Sequence, residues 1–237
     1  MKINNNIKKY IYLAPGGFTM PYTLGISQFI KENYNLNNIN FIGASAGSWT
    51  SIYLASDMYL SDNLINDYSK LFEDKGIIYK WHNICPFLIS EMPKYINDFS
   101  FIDEKRIKIS LSQYHNKSIV NKITDDYNNI NELFNLCVLS SYIPVLSGLN
   151  FPKNNNLITF DGYFSNPNLN LIKNNENNEN NENNENNNLL IISNTMFNRK
   201  FTFSDVIGKK NINIKELLYL GYYDSMINKE YLDLFFN

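Results

Sequence analysis

The sequence has few of the residues on which cross-linked folds and metal sites depend. Its two cysteines, Cys85 and Cys137, form no CxxC motif and no cluster with histidine. This spacing argues against a disulfide framework, so we expect both thiols to be reduced and structural. No cluster of metal-ligand residues is visible in the sequence either, and we expect neither a metal nor another cofactor.

Long apolar runs and excess charge are also missing. No apolar run approaches about 18 residues, which argues against a membrane-spanning helix. The N-terminus has lysines but only a short apolar run and no small-residue cleavage site, so we expect no signal peptide. An intracellular protein, cytoplasmic or peripherally bound to a membrane, is therefore expected. The formal net charge of −2 gives no basic field, so nucleic acid is not an expected partner. The sequence leaves the oligomeric state open.

The composition favours one large domain over residues 1–237. The chain is 44% hydrophobic and 15% aromatic, which is enough to bury a sizeable core. Residues 174–188 differ from the rest, because they repeat Asn-Asn-Glu without a single apolar side chain. Such a segment cannot offset its ordering entropy by burial, so we predict a disordered insertion on the surface of that domain.

Apolar runs alternate with helical patterns in the first part of the chain. Residues Lys9–Ala14 predict a buried strand that stops at Pro15–Gly17, and a helix is expected after Thr19. Residues Ile39–Ala44 predict a second strand, and helical periodicity follows over 46–60. This alternation is typical of an α/β fold with a mainly parallel sheet covered on both faces. Reactive groups in such folds lie beyond the carboxyl ends of the strands.

The remainder of the chain is less regular. Residues 62–131 contain aromatic side chains without a clean period, which favours packed core over a lid, although a lid stays open. Patterns further along predict a helix from Asn131 that ends near Pro144, a short strand before Asp161, a buried strand over 189–195, and a closing helical region over 213–236.

A Gly-x-Ser-x-Gly pattern lies between the second predicted strand and its helix. Ser45 is the central residue, flanked by Gly43 and Gly47. A turn of this kind lifts the serine hydroxyl clear of the sheet, and small flanking residues permit a close approach. The bare pattern is weak evidence, but strand before and helix after is the order that a nucleophile requires. The loop Pro15–Gly17 and the amide of Ala46 are able to supply donors to an oxyanion.

A serine nucleophile needs a base within hydrogen-bond reach. In ordinary α/β-hydrolases a histidine follows the acid along the chain, but His82 and His115 are the only histidines and both precede Asp161. We interpret both histidines as surface or structural residues. A carboxylate acting directly remains, and Asp161 is the best candidate because it follows an apolar strand. Asp-Gly is also a common turn dipeptide, so a purely structural Asp161 stays open.

Four ordered segments resemble the motifs of patatin-like phospholipases, closest to the adipose triglyceride lipase branch. They are IYLAPGGFTMPYTLGISQFIKE, FIGASAGSWTSIYLA, LSSYIPVLSGLNFP and LITFDGYFSNP. The resemblance implies a three-layer α/β/α fold, a nucleophile at Ser45, a base at Asp161, and an oxyanion hole at Gly16 and Gly17. It also implies a lipid ester substrate and contact with a membrane or lipid-droplet surface.

The sequence departs from the family pattern at two positions. Pro15 leads the glycine loop and has no N–H, so the oxyanion hole must use the amides of Gly16, Gly17 or Phe18. Tyr163 stands where most relatives have a second glycine after the aspartate, and it is expected either to narrow the site or to disturb the turn.

Three hypotheses follow from these residues. The first is a lipid acyl hydrolase that works through a Ser45–Asp161 dyad and an acyl-enzyme. The second is a catalytically silent module that binds a lipid surface or a partner. The third is an unrelated parallel-sheet protein with accidental glycine turns, in which Ser45 and Asp161 would lie far apart.

Overall fold

The structure is a computed structural model that describes residues 8–73, 75–165, 188–209 and 213–237. The strands are β1 Lys9–Leu13, β2 Ile39–Ala44, β3 Ile107–His115, β4 Ser118–Thr124, β5 Lys153–Asn154, β6 Leu157–Phe160 and β7 Leu189–Ile192. The helices are α1 Met20–Asn33, α2 Ala46–Ala55, α3 Asp62–Lys70, α4 Ile77–Glu91, α5 Ser100–Asp103, α6 Ile130–Ser140, α7 Phe203–Val206, α8 Ile214–Ile227 and α9 Lys229–Phe236. Apart from Asn188, the predicted insertion 174–188 lies outside the described residues.

The fold is α/β, and the seven strands found in the described residues form one mixed sheet. Strand β1 pairs in parallel with β2 and β7, and β2 pairs in parallel with β3. Strand β3 pairs antiparallel with β4 and β6, and β6 pairs antiparallel with β5. A mainly parallel sheet is expected from the sequence, but the sheet is mixed, with three parallel and three antiparallel pairings among the described strands. The antiparallel pairings come from β6, which pairs with β3 and β5, and from the β3–β4 hairpin, whose turn residues Asn116 and Lys117 both have positive φ.

One edge of β3 is shared by two strands that approach each other end to end. Strand β4 pairs with residues 109–115 of β3 along the other edge. The partners of Ser110 and Ser112 on the shared edge are Ala44, the last residue of β2, and Phe160, the last residue of β6. Because β2 and β6 run in opposite directions, their C-terminal ends meet beside Leu111.

Both faces of the sheet are buried at its centre. Ile11, Tyr12 and Leu13 are consecutive in β1 and all are buried, although neighbours in a strand point to opposite faces. Ile11 and Leu13 join the large core that the helices share, whereas Tyr12 packs with Ile42 and Ala44 in a smaller cluster on the opposite face. At these positions the side chains on both faces of the sheet are therefore buried.

Helix α2 lies against the centre of the sheet and all ten of its residues are buried. It ends at Ala55, five residues before the end that periodicity predicts. The ammonium group of Lys31 donates hydrogen bonds to the carbonyls of Tyr53, Ser56 and Met58 at 2.6–2.8 Å. A cation among terminal carbonyls stabilises a helix C-terminus, which accounts for the early end.

Helices α1 and α8 cross at two glycines. A Cβ atom added to Gly25 would lie 2.0 Å from the carbonyl oxygen of Leu218, and one added to Gly221 would lie 1.9 Å from that of Tyr22. The backbones therefore approach each other more closely than any side chain would allow. The closing helical region is in fact two helices, since α8 and α9 are separated by Asn228.

The irregular stretch 62–131 contains α3, α4 and α5 together with the hairpin β3–β4. It thus supplies the strand on which β2 and β6 meet. Among the described residues no helix is both long enough and apolar enough to cross a membrane.

Candidate active site

Ser45 forms the turn between β2 and α2. Its backbone has φ 53° and ψ −126°, a conformation that non-glycine residues rarely adopt. Such strain persists only where the surroundings enforce it, and it is concentrated at functional sites. The turn therefore matches the predicted nucleophile elbow in conformation as well as in sequence.

Gly43 and Gly47 are required by close backbone contacts around this turn. A Cβ atom on Gly43 would lie 2.4 Å from the Cα atom of Ser48. A Cβ atom on Gly47 would lie 2.1 Å from the carbonyl oxygen of Leu13 in β1. Since contacts this short are not tolerated, only glycine lets the turn fold tightly against the sheet.

Asp161 directly follows β6 and reaches Ser45 across the meeting point of the two strands. The hydroxyl of Ser45 donates a hydrogen bond of 2.6 Å to Oδ2 of Asp161, and both residues are buried. Gly162 makes the approach possible, because a Cβ atom there would lie 2.5 Å from the carbonyl oxygen of Ser110. The two side chains are in contact, which contradicts the hypothesis of unrelated, accidental turns.

The route by which Asp161 reaches the serine differs from the expected one. Parallel strands would bring both residues to one edge of the sheet, but β6 is antiparallel to β3. Strand β3 extends beyond the end of β2, and β6 runs back along this extension until Phe160 pairs with Ser112. Asp161, just after the end of β6, and Ser45, just after the end of β2, thus face each other along one edge of β3.

The carboxyl group of Asp161 has the acidity of a base that works near neutral pH. Burial raises its pKa to about 7, while hydrogen bonds from the Ser45 hydroxyl and the Tyr163 backbone N–H act in the opposite direction. The Tyr163 N–H donates to Oδ1 at 2.7 Å and leaves Oδ2 directed at the serine. A carboxylate with this pKa is able to accept the serine proton.

Neither histidine is part of this arrangement. His82 is exposed and lies on α4, whose residues Trp81, Ile84, Cys85 and Leu88 line the pocket next to Ser45. His115 is exposed at the far end of β3. Of the two interpretations that the sequence left open for the histidines, surface or structural, the surface one applies to both.

A pocket with about 310 Å³ of empty volume, part of it open to solvent, adjoins Ser45. Gly17, Phe18 and Ala46 line it. Within the described residues, the amides of these three donate no hydrogen bond to a protein acceptor. Backbone N–H groups left free around a serine are the donors that an oxyanion requires.

Gly16 is placed differently from the other predicted oxyanion residues. It does not line this pocket, and its carbonyl accepts hydrogen bonds from the backbone N–H and the hydroxyl of Thr19 at 3.1 and 2.7 Å. These bonds fix the loop in which Gly17 adopts φ +52°. Gly16 therefore shapes the loop, while Gly17 and Phe18 face the serine pocket.

Tyr163 neither narrows the pocket nor disturbs the turn. Its φ is not positive, so the position does not require glycine. Its side chain is 70% exposed and lies outside the pocket lining. The departure from a second glycine is thus accommodated by a short 3-10 helix over Gly162–Phe164.

Ser140 and Ser141 hold the elbow in place, and sequence reasoning assigned no role to them. Ser140 Oγ accepts a hydrogen bond of 2.8 Å from the Ser45 backbone N–H and donates one of 2.7 Å to the Ser110 carbonyl. Ser141 Oγ accepts one of 3.0 Å from the indole of Trp49. The paired serines at the predicted helix end were visible in the sequence, but their partners are far away along the chain.

The thiol-bearing residue Cys85 also lines the serine pocket. Burial and the nearby charge of Asp161 raise its pKa to about 12. It therefore stays a thiol at neutral pH and does not compete with Ser45. Both cysteines are free, as expected. In the described part of the chain, no group of three or more histidine, cysteine or acidic residues is arranged to hold a metal ion.

Comparison of the chain with models of protein families and with curated proteins found no match.

Proposed function

We propose that the protein is a serine-dependent lipid acyl hydrolase of the patatin-like kind, with the three-layer α/β/α arrangement of that family. The observation that carries this proposal is the 2.6 Å hydrogen bond between the Ser45 hydroxyl and the buried Asp161 carboxyl. It occurs on a strained elbow and beside amides that have no protein acceptor among the described residues. The lipid substrate class is supported by the resemblance of the four motifs.

The proposed reaction passes through an acyl-enzyme. Asp161 removes the Ser45 proton while the serine oxygen attacks the ester carbonyl, and the amides of Gly17, Phe18 and Ala46 stabilise the oxyanion. The tetrahedral intermediate collapses when Asp161 returns the proton to the departing alcohol. Asp161 then deprotonates a water that attacks the acyl-serine, and a second collapse releases the fatty acid and restores the Ser45 hydroxyl.

Contact with a lipid surface is part of this proposal, and an exposed loop next to the site supports it. The loop follows α6, and its residues 141–152 contain no charged side chain. Val145 is 72% exposed and Leu149 is 84% exposed. The loop is tied to the site because the Tyr142 carbonyl accepts a hydrogen bond of 2.8 Å from the Asp161 backbone N–H.

The same loop also favours the alternative, a catalytically silent module that binds a lipid surface. Both functions would use the exposed apolar side chains of Val145 and Leu149. Only the hydrolase requires Ser45 to react.

Labelling with a fluorophosphonate separates the two functions. The wild type is expected to be labelled and to hydrolyse a short-chain p-nitrophenyl ester. Ser45→Ala should lose labelling and at least about 1,000-fold of the ester turnover. Ser51→Ala is the matched control, because Ser51 lies on the same helix and its hydroxyl donates a hydrogen bond to the Ser48 carbonyl, away from Asp161. Unlabelled wild type that binds liposomes would support the silent module, and labelled Ser45→Ala would refute the dyad.

A further inference from the structure

A second cavity lies beside the serine pocket. It lies among α1, α2, α3, α4 and α8 and has about 560 Å³ of empty volume, part of it open to solvent. Met20, Trp49 and Leu88 line both this cavity and the serine pocket. The two spaces are therefore neighbours, with these three side chains between them.

The surface of this cavity is apolar throughout. Where described residues line it, only apolar atoms reach the empty space. Its wall includes Leu24 from α1, Leu64 and Ile65 from α3, and Leu218 from α8. An apolar wall offers nothing to a head group or a charged ligand, because a buried polar group without a partner is costly. A hydrocarbon chain meets no such cost.

The three shared side chains differ in their freedom to move. Trp49 is held by the hydrogen bond from its indole N–H to Ser141. Met20 and Leu88 are fixed by packing alone, and methionine adapts readily to the shape of what it contacts. A rearrangement of Met20 and Leu88 would join the two spaces without disturbing the elbow.

We infer that this cavity receives the acyl chain of the substrate, which enters from Ser45 between Met20 and Leu88. The inference rests on the proposed function, since the position of the ester at Ser45 gives the chain its direction. The apolar lining accommodates additional methylene groups of a chain whose ester lies at Ser45. The cavity thus favours long acyl chains.

Chain-length profiles test this inference. With monomeric p-nitrophenyl esters, kcat/KM of the wild type should rise up to about fourfold for each added methylene. Leu24→Trp and Ile65→Trp fill the cavity from two helices, and neither residue lines the serine pocket. Both variants should keep butyryl-ester turnover within about twofold and lose at least about tenfold on the decanoyl ester.

Leu36→Trp is the matched control, since Leu36 is also half-buried but lines neither space. It should keep the wild-type profile. Cavity-filling variants that affect all chain lengths equally, or none, would overturn the inference.

A binding measurement separates this inference from the proposed function. Ser45→Ala is titrated calorimetrically with decanoate, alone and combined with Leu24→Trp. Weaker binding in the double variant, by at least about tenfold, supports the acyl cavity. Equal decanoate affinity of the single and the double variant would refute the acyl cavity without affecting the proposed Ser45–Asp161 dyad. Ester turnover that survives Ser45→Ala would refute the dyad, whatever the binding shows.

Discussion

At Asp161 the fold keeps a carboxyl group away from water and gives it one hydroxyl and one amide as partners. Burial disfavours the charged form, which raises the pKa to about 7. Near neutral pH, the protonated and the deprotonated forms of Asp161 are therefore both populated. Because only the base accepts the serine proton, the activity of the proposed enzyme must depend on this one ionisation.

We expect kcat/KM for a neutral short-chain ester to fall about tenfold for each pH unit below the Asp161 pKa and to level off above it. The sign follows from the charge, since a neutral, protonated Asp161 carboxyl group is far too weak a base to remove the Ser45 proton. The profile is measured from about pH 5 to about pH 9. Ser51→Ala should show the same profile as the wild type. A rate that is flat through pH 7 would show that Asp161 is not the base.

Several residues of the site could be predicted from the sequence and others could not. The turn around Ser45 is a local pattern, and the position of both histidines before Asp161 directs attention to a carboxylate. Ser140 is different, because it matters only through Ser45 and Ser110, which are distant in sequence. The same holds for Cys85, which reaches the pocket from α4.

Among the secondary-structure elements, the crossing of α1 and α8 requires that no Cβ atom be present at its two glycines. Gly25 and Gly221 let the two backbones touch, and Leu24 and Leu218 beside the crossing line the apolar cavity. The crossing therefore sets the distance between two walls of that cavity. A methyl group at either glycine would force the helices apart.

We expect Gly221→Ala to lower the free energy of unfolding by about 2–3 kcal/mol, because overpacking displaces the backbone. Gly76→Ala is the control, since a Cβ atom at Gly76 would have no neighbour within 4 Å. As Gly76 is the N-cap of α4, its replacement should cost below about 1 kcal/mol. Urea unfolding measures both. Equal stability of the two variants would contradict the role of the crossing.

Some secondary-structure elements can be predicted from local sequence patterns, and others cannot. Strand β2 begins and ends at the predicted residues, since its apolar run is bounded by turns on both sides. The alternation of apolar and polar residues over Ile107–Ser112 is a strand pattern, but the turn of the β3–β4 hairpin uses Asn116–Lys117 in place of glycine and gives no hairpin signal. The mixed sheet follows from this hairpin and from the antiparallel pairing of β6 with β3. The β3–β6 pairing joins segments that are distant in sequence, and periodicity says nothing about strand direction.

On the scale of the whole molecule, the loop after α6 is the surface through which we expect the proposed enzyme to contact a lipid. The uncharged residues of that loop are linked to Asp161 through Tyr142. Within the loop, the Val145 N–H donates a hydrogen bond of 2.9 Å to the Gly148 carbonyl, and the Ser147 N–H donates one of 2.8 Å to the Ile143 carbonyl. These bonds hold the backbone of the loop from which Val145 and Leu149 project.

We expect the double variant Val145→Ser, Leu149→Ser to bind anionic phospholipid vesicles at least about tenfold more weakly than the wild type, because two aliphatic side chains no longer enter the bilayer. The control replaces Ile227 and Leu234 by serine, since these residues are 58% and 72% exposed on α8 and α9. Vesicle sedimentation compares the two. If both double variants lose the same affinity, the loop has no special part in lipid contact.

The burial of helix α2 limits the substitutions that this protein can accept during evolution. The elbow serine precedes it, Ala46 offers an amide at its first turn, and Trp49 and Thr50 line the apolar cavity. With every residue buried, few of its positions can vary without altering several tasks at once. A mutational library directed at the cavity-lining residues of α3 and α8 should therefore yield more functional clones than one directed at α2.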